Sequence, residues 1–140
     1  MTLNEVNAYA AGILDGEGSV QVAVSISLGL RVTVGSTNEE VLAFLQAYFG
    51  GRVHKGSKAT DYHKASWNWM LYMKEARPFL EAVRPYCIIK RMHVLLGLAF
   101  LNTAGPPGAP LPPLEEAKRL RITATLRFLN KKGPRRPAKS

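Results

Sequence analysis

Apolar and polar positions change period several times along the chain, and each change marks an element. Val6, Tyr9, Ala10 and Ile13 recur at helical spacing behind Asn4, a suitable N-cap, with Glu5 in the first turn. Val20, Val22, Val24 and Ile26 then alternate with Gln21, Ala23, Ser25 and Ser27, the pattern of a half-buried strand. Leu28-Gly29 reads as a turn, after which Leu30, Val32 and Val34 alternate with Arg31 and Thr33 as a second strand. Thr37, with Glu40 three residues on, caps a second helix whose apolar face is Val41, Leu42, Leu45, Tyr48 and Phe49, and Gly50-Gly51 stops it. Residues 52–55 start a third strand and 56–64 form a polar, basic loop. Residues 65–73 are a fourth strand, with Trp67, Trp69 and Leu71 on the core face and Ser66, Asn68 and Met70 on the other. A short helix over 75–83, a break at Pro85 and an apolar helix over 91–102 follow.

Two hairpins separated by helices predict an α+β fold, a four-stranded antiparallel sheet with helices on one face. The core domain is expected over 1–102, a Pro/Gly hinge over 103–113, a C-terminal helix packing on the core over 114–130 and a disordered basic tail over 131–140. An antiparallel sheet tolerates an open face. Here that face would carry Gln21, Ser25, Ser27, Arg31, Thr33, His54, Ser66 and Asn68, residue types that match base edges in a groove admitting a β-ribbon.

Charge sharpens this picture. The 140 residues carry a net +9, with −4 on the first fifty and +13 on the rest, which points to a polyanionic partner. Arg52, Lys55, Lys58, Lys64 and Arg91 read as phosphate contacts, whereas Arg119, Arg121 and Arg127 are as simply a solvated helix face. The single cysteine, Cys87, excludes a disulfide framework and a Cys-based zinc site, and His54, His63 and His93 lack metal-ligand spacing. The longest apolar run, 94–101, is too short to span a bilayer, and the polar opening residues lack an apolar targeting core, so no membrane partner is expected. A cytoplasmic location is expected, or an organellar one if the gene lies in an organelle genome.

Residues 10–18, Ala-Ala-Gly-Ile-Leu-Asp-Gly-Glu-Gly, concentrate the chemistry. Gly12 sits inside a helical pattern, where it costs roughly 1 kcal/mol relative to Ala. Asp15 and Glu17 fall at a helix C-terminus, where the macrodipole disfavours negative charge. Broken local rules of this kind cluster at functional sites. The segment resembles the LAGLIDADG motif of homing endonucleases without a gap: Ala10 stands for the family Leu, Gly12 for its Gly, Asp15 for its first acid and Glu17 for its second. Pro85-Tyr86-Cys87-Ile88-Ile89-Lys90 is similar to the family's segment that sets a lysine at the start of the helix after the sheet.

The resemblance implies a homing DNA endonuclease of a mobile intron or free-standing element. Such an enzyme cuts both strands of a long pseudo-palindromic target by metal-dependent hydrolysis. Glu17 would bind Mg²⁺ (or Mn²⁺) with the Gly16 carbonyl beside it, Lys90 would offset developing phosphate charge or tune the attacking water, and Ser36 would take the water-organising place at the end of the second strand. Asp15 would be structural. A single motif implies a homodimer packed through Ala8, Ala11, Gly12 and Gly16 across a twofold axis. The alternative is a non-cleaving binder of the same fold: an intron RNA maturase, with RNA as partner, or a DNA-binding regulator. A basic nucleic-acid-binding domain with a chance motif is the remaining reading.

Overall fold

The computed structural model describes residues 1–24, 28–56, 58, 60, 64–103 and 109–131. The chain runs α1 (Leu3–Glu17), β1 (Gly18–Val24), β2 (Leu28–Ser36), α2 (Glu39–Phe49), β3 (Arg52–Lys55), β4 (Trp67–Tyr72), a 3-10 turn (Met73–Ala76), α3 (Arg77–Val83), α4 (Arg91–Asn102) and α5 (Pro113–Asn130). The four strands form one antiparallel sheet in the order β1-β2-β4-β3. This is the α+β arrangement that the alternating pattern predicts.

Both helix caps differ from the expected ones. Thr2, not Asn4, caps α1: its hydroxyl accepts from the Glu5 N–H at 3.2 Å, and the Glu5 carboxylate accepts from the Thr2 N–H at 2.8 Å. The reciprocal box requires an acid three residues on, which Thr2 has and Asn4 lacks. At α2 the cap is Asn38, whose side-chain oxygen accepts from the Glu40 N–H at 2.9 Å, so Thr37 lies outside the helix. Gly50 and Gly51 do end α2, both at positive φ (75° and 90°) where a side chain would be strained. The turn they make lets the Gly50 carbonyl accept from the buried Trp69 indole at 2.7 Å.

One sheet face and the inner sides of the helices make the core. Val20, Val22, Leu30, Val32, Val34, Trp69 and Leu71 from the sheet meet Ala10, Ala11 and Leu14 of α1, Leu42 and Leu45 of α2, Phe79, Leu80 and Val83 of α3, and Val94, Leu98 and Phe100 of α4. The core face expected for Trp67 and Trp69 is the observed one: Trp69 is fully buried and Trp67 packs against the cluster. Strand limits shift slightly. Leu28 and Gly29 belong to β2, paired with Val24 and Ala23, and not to a turn, while β4 starts at Trp67 and leaves Ser66 before it. Among the described residues no helix is long and apolar enough to cross a membrane.

Strand β1 is a sheet edge, which unpaired backbone groups make sticky unless covered. The C-terminal helix α5 packs beside it and against α4. Asn130, the last residue of α5, donates its side-chain amide to the Val20 carbonyl at 3.0 Å. Higher up the helix, the Arg119 guanidinium lies 4.7 Å from the Phe100 ring centroid and donates to the Thr103 hydroxyl at 3.1 Å.

Candidate functional site

The end of α1 passes into β1 with no linker, because Gly18 has no side chain. A Cβ there would lie 2.9 Å from the Leu14 Cα. Glu17, the last helical residue, is thereby held at the rim of the sheet with its carboxylate exposed, and Gly16 beside it is exposed too.

Asp15 faces the other way. Its carboxylate accepts from the backbone N–H groups of Ile88 and Lys90, each at 2.9 Å. Burial alone would raise its pKa, but the N–H groups of Ile88, Lys90 and Ile89, with the Cys87 thiol, outweigh that and hold the carboxyl below its ordinary range. Asp15 therefore fixes the turn that opens α4, and with it the position of Lys90, the residue preceding that helix. Glu17 and Lys90 are brought to the same end of the molecule through this one carboxylate between them. Cys87 sits beneath the turn, buried, its thiol pushed up to about 12 by desolvation and then by the Asp15 charge, which keeps it protonated and inert.

Ser36 ends β2 on the helix side of the sheet, in line with Val32 and Val34. Its hydroxyl accepts from the Asn38 N–H at 3.0 Å and so shapes the turn into α2. On α1, Ala8, Gly12 and Gly16 form an exposed strip bordered by Tyr9 and Ile13. Ala11 does not belong to that strip. It is fully buried, turned with Ala10 and Leu14 into the protomer's own core, and its side chain has no access to another molecule. Among the described residues, Gly12 and Gly16 have no heavy atom from beyond their own stretch of helix within 4 Å of where a Cβ would sit, so packing there does not require a glycine at either place.

The open sheet face has three registered rows. Nearest the Glu17 end is Gly35–Asn68–His54, then Ser19–Thr33–Met70–Arg52, then Gln21–Arg31–Tyr72. None of these side chains joins the core, and the four strands hold no Asp or Glu, so the charge on the face is that of Arg31 and Arg52 among neutral, mostly polar neighbours. Lys55 shares the parity of Val53, on the helix side, and is exposed at the end of β3. Ser66 is half-buried, its carbonyl accepting from the Gly56 N–H at 2.7 Å. Lys58 and Lys64 are exposed between β3 and β4. Ser25, Ser27 and His63 lie outside the described residues, as do most of the tail and much of the hinge.

Sequence reasoning missed three features. Tyr72 extends the open face by simple alternation. Ile88 and Ile89 are 80% and 69% exposed beside the Asp15 turn, a large apolar display for a surface. Their signal was a pair of isoleucines outside any periodic element. Asn130 ties α5 to β1, and no spacing in the sequence announces that contact.

As a donor set, Glu17 and the Gly16 carbonyl offer hard oxygens only. Among the described residues no three His, Cys, Asp or Glu side chains assemble as a metal cage. This fits a small hard cation that takes most of its ligands from water and substrate phosphate, the habit of Mg²⁺.

No protein-family model matches the sequence, and comparison with curated proteins finds no significant match. Solved structures do match. The homing endonuclease I-CvuI in complex with its target aligns over 96% of this chain and 88% of that one, with a TM-score of 0.69 at 18% identity. The archaeal intron-encoded homing endonuclease I-Vdi141I, complexed with DNA, aligns over 94% and 87%, with a TM-score of 0.73 at 18% identity. The I-SmaMI LAGLIDADG homing endonuclease, bound to cleaved DNA, aligns over 86% of this chain but 43% of its own, with a TM-score of 0.68 at 18% identity.

Proposed function

We propose that this chain, which has the LAGLIDADG homing-endonuclease fold, is a site-specific DNA endonuclease that works as a homodimer and cuts both strands of a pseudo-palindromic site by metal-dependent hydrolysis. The observation that carries the reading is the pairing of an exposed Glu17 with a Lys90 whose backbone is pinned by Asp15, at the end of an acid-free, cationic sheet face.

Mg²⁺ held by Glu17 and the Gly16 carbonyl would supply an activated water and charge neutralisation at the scissile phosphate. The chain's own residues do the rest. The open face binds along the groove, with Arg52 and the β3–β4 lysines on the phosphates and the inner rows against base edges. Asp15 holds the start of α4 so that Lys90 offsets charge developing on the phosphate. Ser36 holds the β2–α2 turn and contributes at most a hydroxyl at the rim.

Two observations support the dimer. The strip of Ala8, Gly12 and Gly16 is open and unexplained within one protomer, and small residues there permit a second α1 to approach closely. Ile88 and Ile89, exposed beside the Asp15 turn, are apolar surface of the kind that a partner protomer covers. The alignment with 43% of I-SmaMI agrees with a fold unit that occupies about half of a longer, single-chain protein. Apposed Glu17 carboxylates repel each other unless a cation lies between, so metal and DNA complete the site together.

The test is Glu17→Gln assayed for cleavage and binding of the same duplex. Cleavage in Mg²⁺ should vanish while affinity is kept. Joint loss of both would make Glu17 structural, and a wild-type chain that binds but never cuts would be a regulator or, if it prefers intron RNA, a maturase.

A further inference from the structure

Arg31 stands apart from the other cations of the open face. It lies on the inner strand β2, opposite Gln21 on one side and Tyr72 on the other. Its Nε is sealed from solvent with no hydrogen-bond partner, and it takes part in neither ion pair found among the described residues. The strands around it supply no carboxylate. The two terminal nitrogens of the guanidinium are neither sealed in this way nor hydrogen-bonded among the described residues, so they are the donors an arriving acceptor meets. Arg52, by contrast, is exposed on the edge strand β3, where a backbone phosphate would pass.

Tyr72 shapes the ground beside Arg31. Its ring lies across Gly29, two residues along β2: a Cβ at Gly29 would fall 2.7 Å from the ring Cζ and 2.8 Å from Cε2. Glycine at that position lets the ring lie down on the strand, closing the surface on the hairpin side of Arg31. On the Glu17 side the neighbours are the short Ser19 and Thr33. The guanidinium is thus a forked donor with an aromatic plane on one side and Ser19, Thr33 and Met70 on the other.

Resting on the endonuclease reading, we propose that Arg31 is a specificity residue that reads one guanine in each half-site, donating to O6 and N7 in the major groove. Adenine presents an amino donor where guanine presents O6, so it is rejected by the same fork. The register also gives an address. Gln21, opposite Arg31, is four residues from Glu17, about 13 Å along an extended strand. At about 3.4 Å per base pair, that places the guanine roughly four base pairs from the phosphate at Glu17. Twofold symmetry puts the second guanine at the mirrored place on the other strand.

The experiment is a binding selection from a pool of randomised duplexes in Ca²⁺, run with the full chain, with Arg31→Gln and with Arg52→Gln. The wild type should enrich one guanine per half-site near that address, and changing it to adenine should weaken binding roughly 5- to 150-fold. Arg31→Gln should erase the preference at that position alone or turn it to adenine. Arg52→Gln should weaken all sequences alike and lower the salt slope by about 1. If Arg31→Gln weakens all sequences equally and leaves every positional preference intact, Arg31 is a phosphate contact and this inference fails while the endonuclease reading stands. If the wild type enriches no sequence, that reading fails and takes the inference with it.

Discussion

Replacing Asp15 with alanine removes the one carboxylate that links the helix carrying Glu17 to the turn carrying Lys90. Two N–H groups, of Ile88 and Lys90, each lose a charged acceptor at 2.9 Å. Hydrogen bonds to charged groups contribute about 1.5–3 kcal/mol each. The turn is exposed at Ile88, so the freed N–H groups regain water and solvent screens the charge. The lower end applies, and the expected loss is about 2–3 kcal/mol. Asp15→Asn keeps an acceptor oxygen without the charge and should recover about half of this. The carboxyl sits below its ordinary 3.8 in the folded chain. Its contribution is therefore fully present above 3.8 and is lost as pH falls through the lower folded value. Urea unfolding of wild type and variant at equal protein concentration should show a constant gap between about pH 5 and 8, shrinking below 3.8. Single-turnover cleavage by Asp15→Ala should fall more than DNA affinity does, because Lys90 is no longer pinned. A variant within about 0.5 kcal/mol of wild type, the range of an ordinary surface change, would refute the role given to Asp15.

Gly12→Leu should abolish the dimer in sedimentation while the separated protomer stays folded, because the added side chain meets only open space within one chain and relieves up to about 1 kcal/mol of helix penalty; an unchanged dimer mass would move the interface elsewhere. His93 is held below its usual value of 6.5 by burial and then by the Lys90 charge, with the Asn130 side chain partly opposing. The unfolded chain thus binds a proton there first, and stability should decline as pH drops below 6.5. His93→Gln should flatten that decline; an identical slope in the variant would show that His93 is not its source.

Much of the fold was legible because sheet and helices announce themselves by period. The alternation in β1, β2 and β4, the stop at Gly50-Gly51 and the apolar stretch of α4 all appear where the pattern sets them. Ala11 shows where periodicity loses resolution. Small residues at 8, 11, 12 and 16 look like one surface, yet each helical residue turns the side chain by about 100°. Only the line through 8, 12 and 16 stays outside, while Ala11 follows Leu14 inward. Asp15 is structural, as the resemblance implies, but only the structure gives its partners: backbone groups more than seventy residues away. The Tyr72–Gly29 contact was hidden for the same reason. It exists only through the β2–β4 register, which no local pattern specifies.

Endonuclease activity is decided by a cleavage selection on randomised duplex DNA with Mg²⁺, using wild type and Glu17→Gln side by side. The wild type should release cut products from one family of pseudo-palindromic sequences, broken in both strands, and Glu17→Gln should bind those sequences and release none. Cutting that survives in Glu17→Gln, or a wild type that retains a sequence family yet leaves it whole in every divalent cation tried, would contradict it.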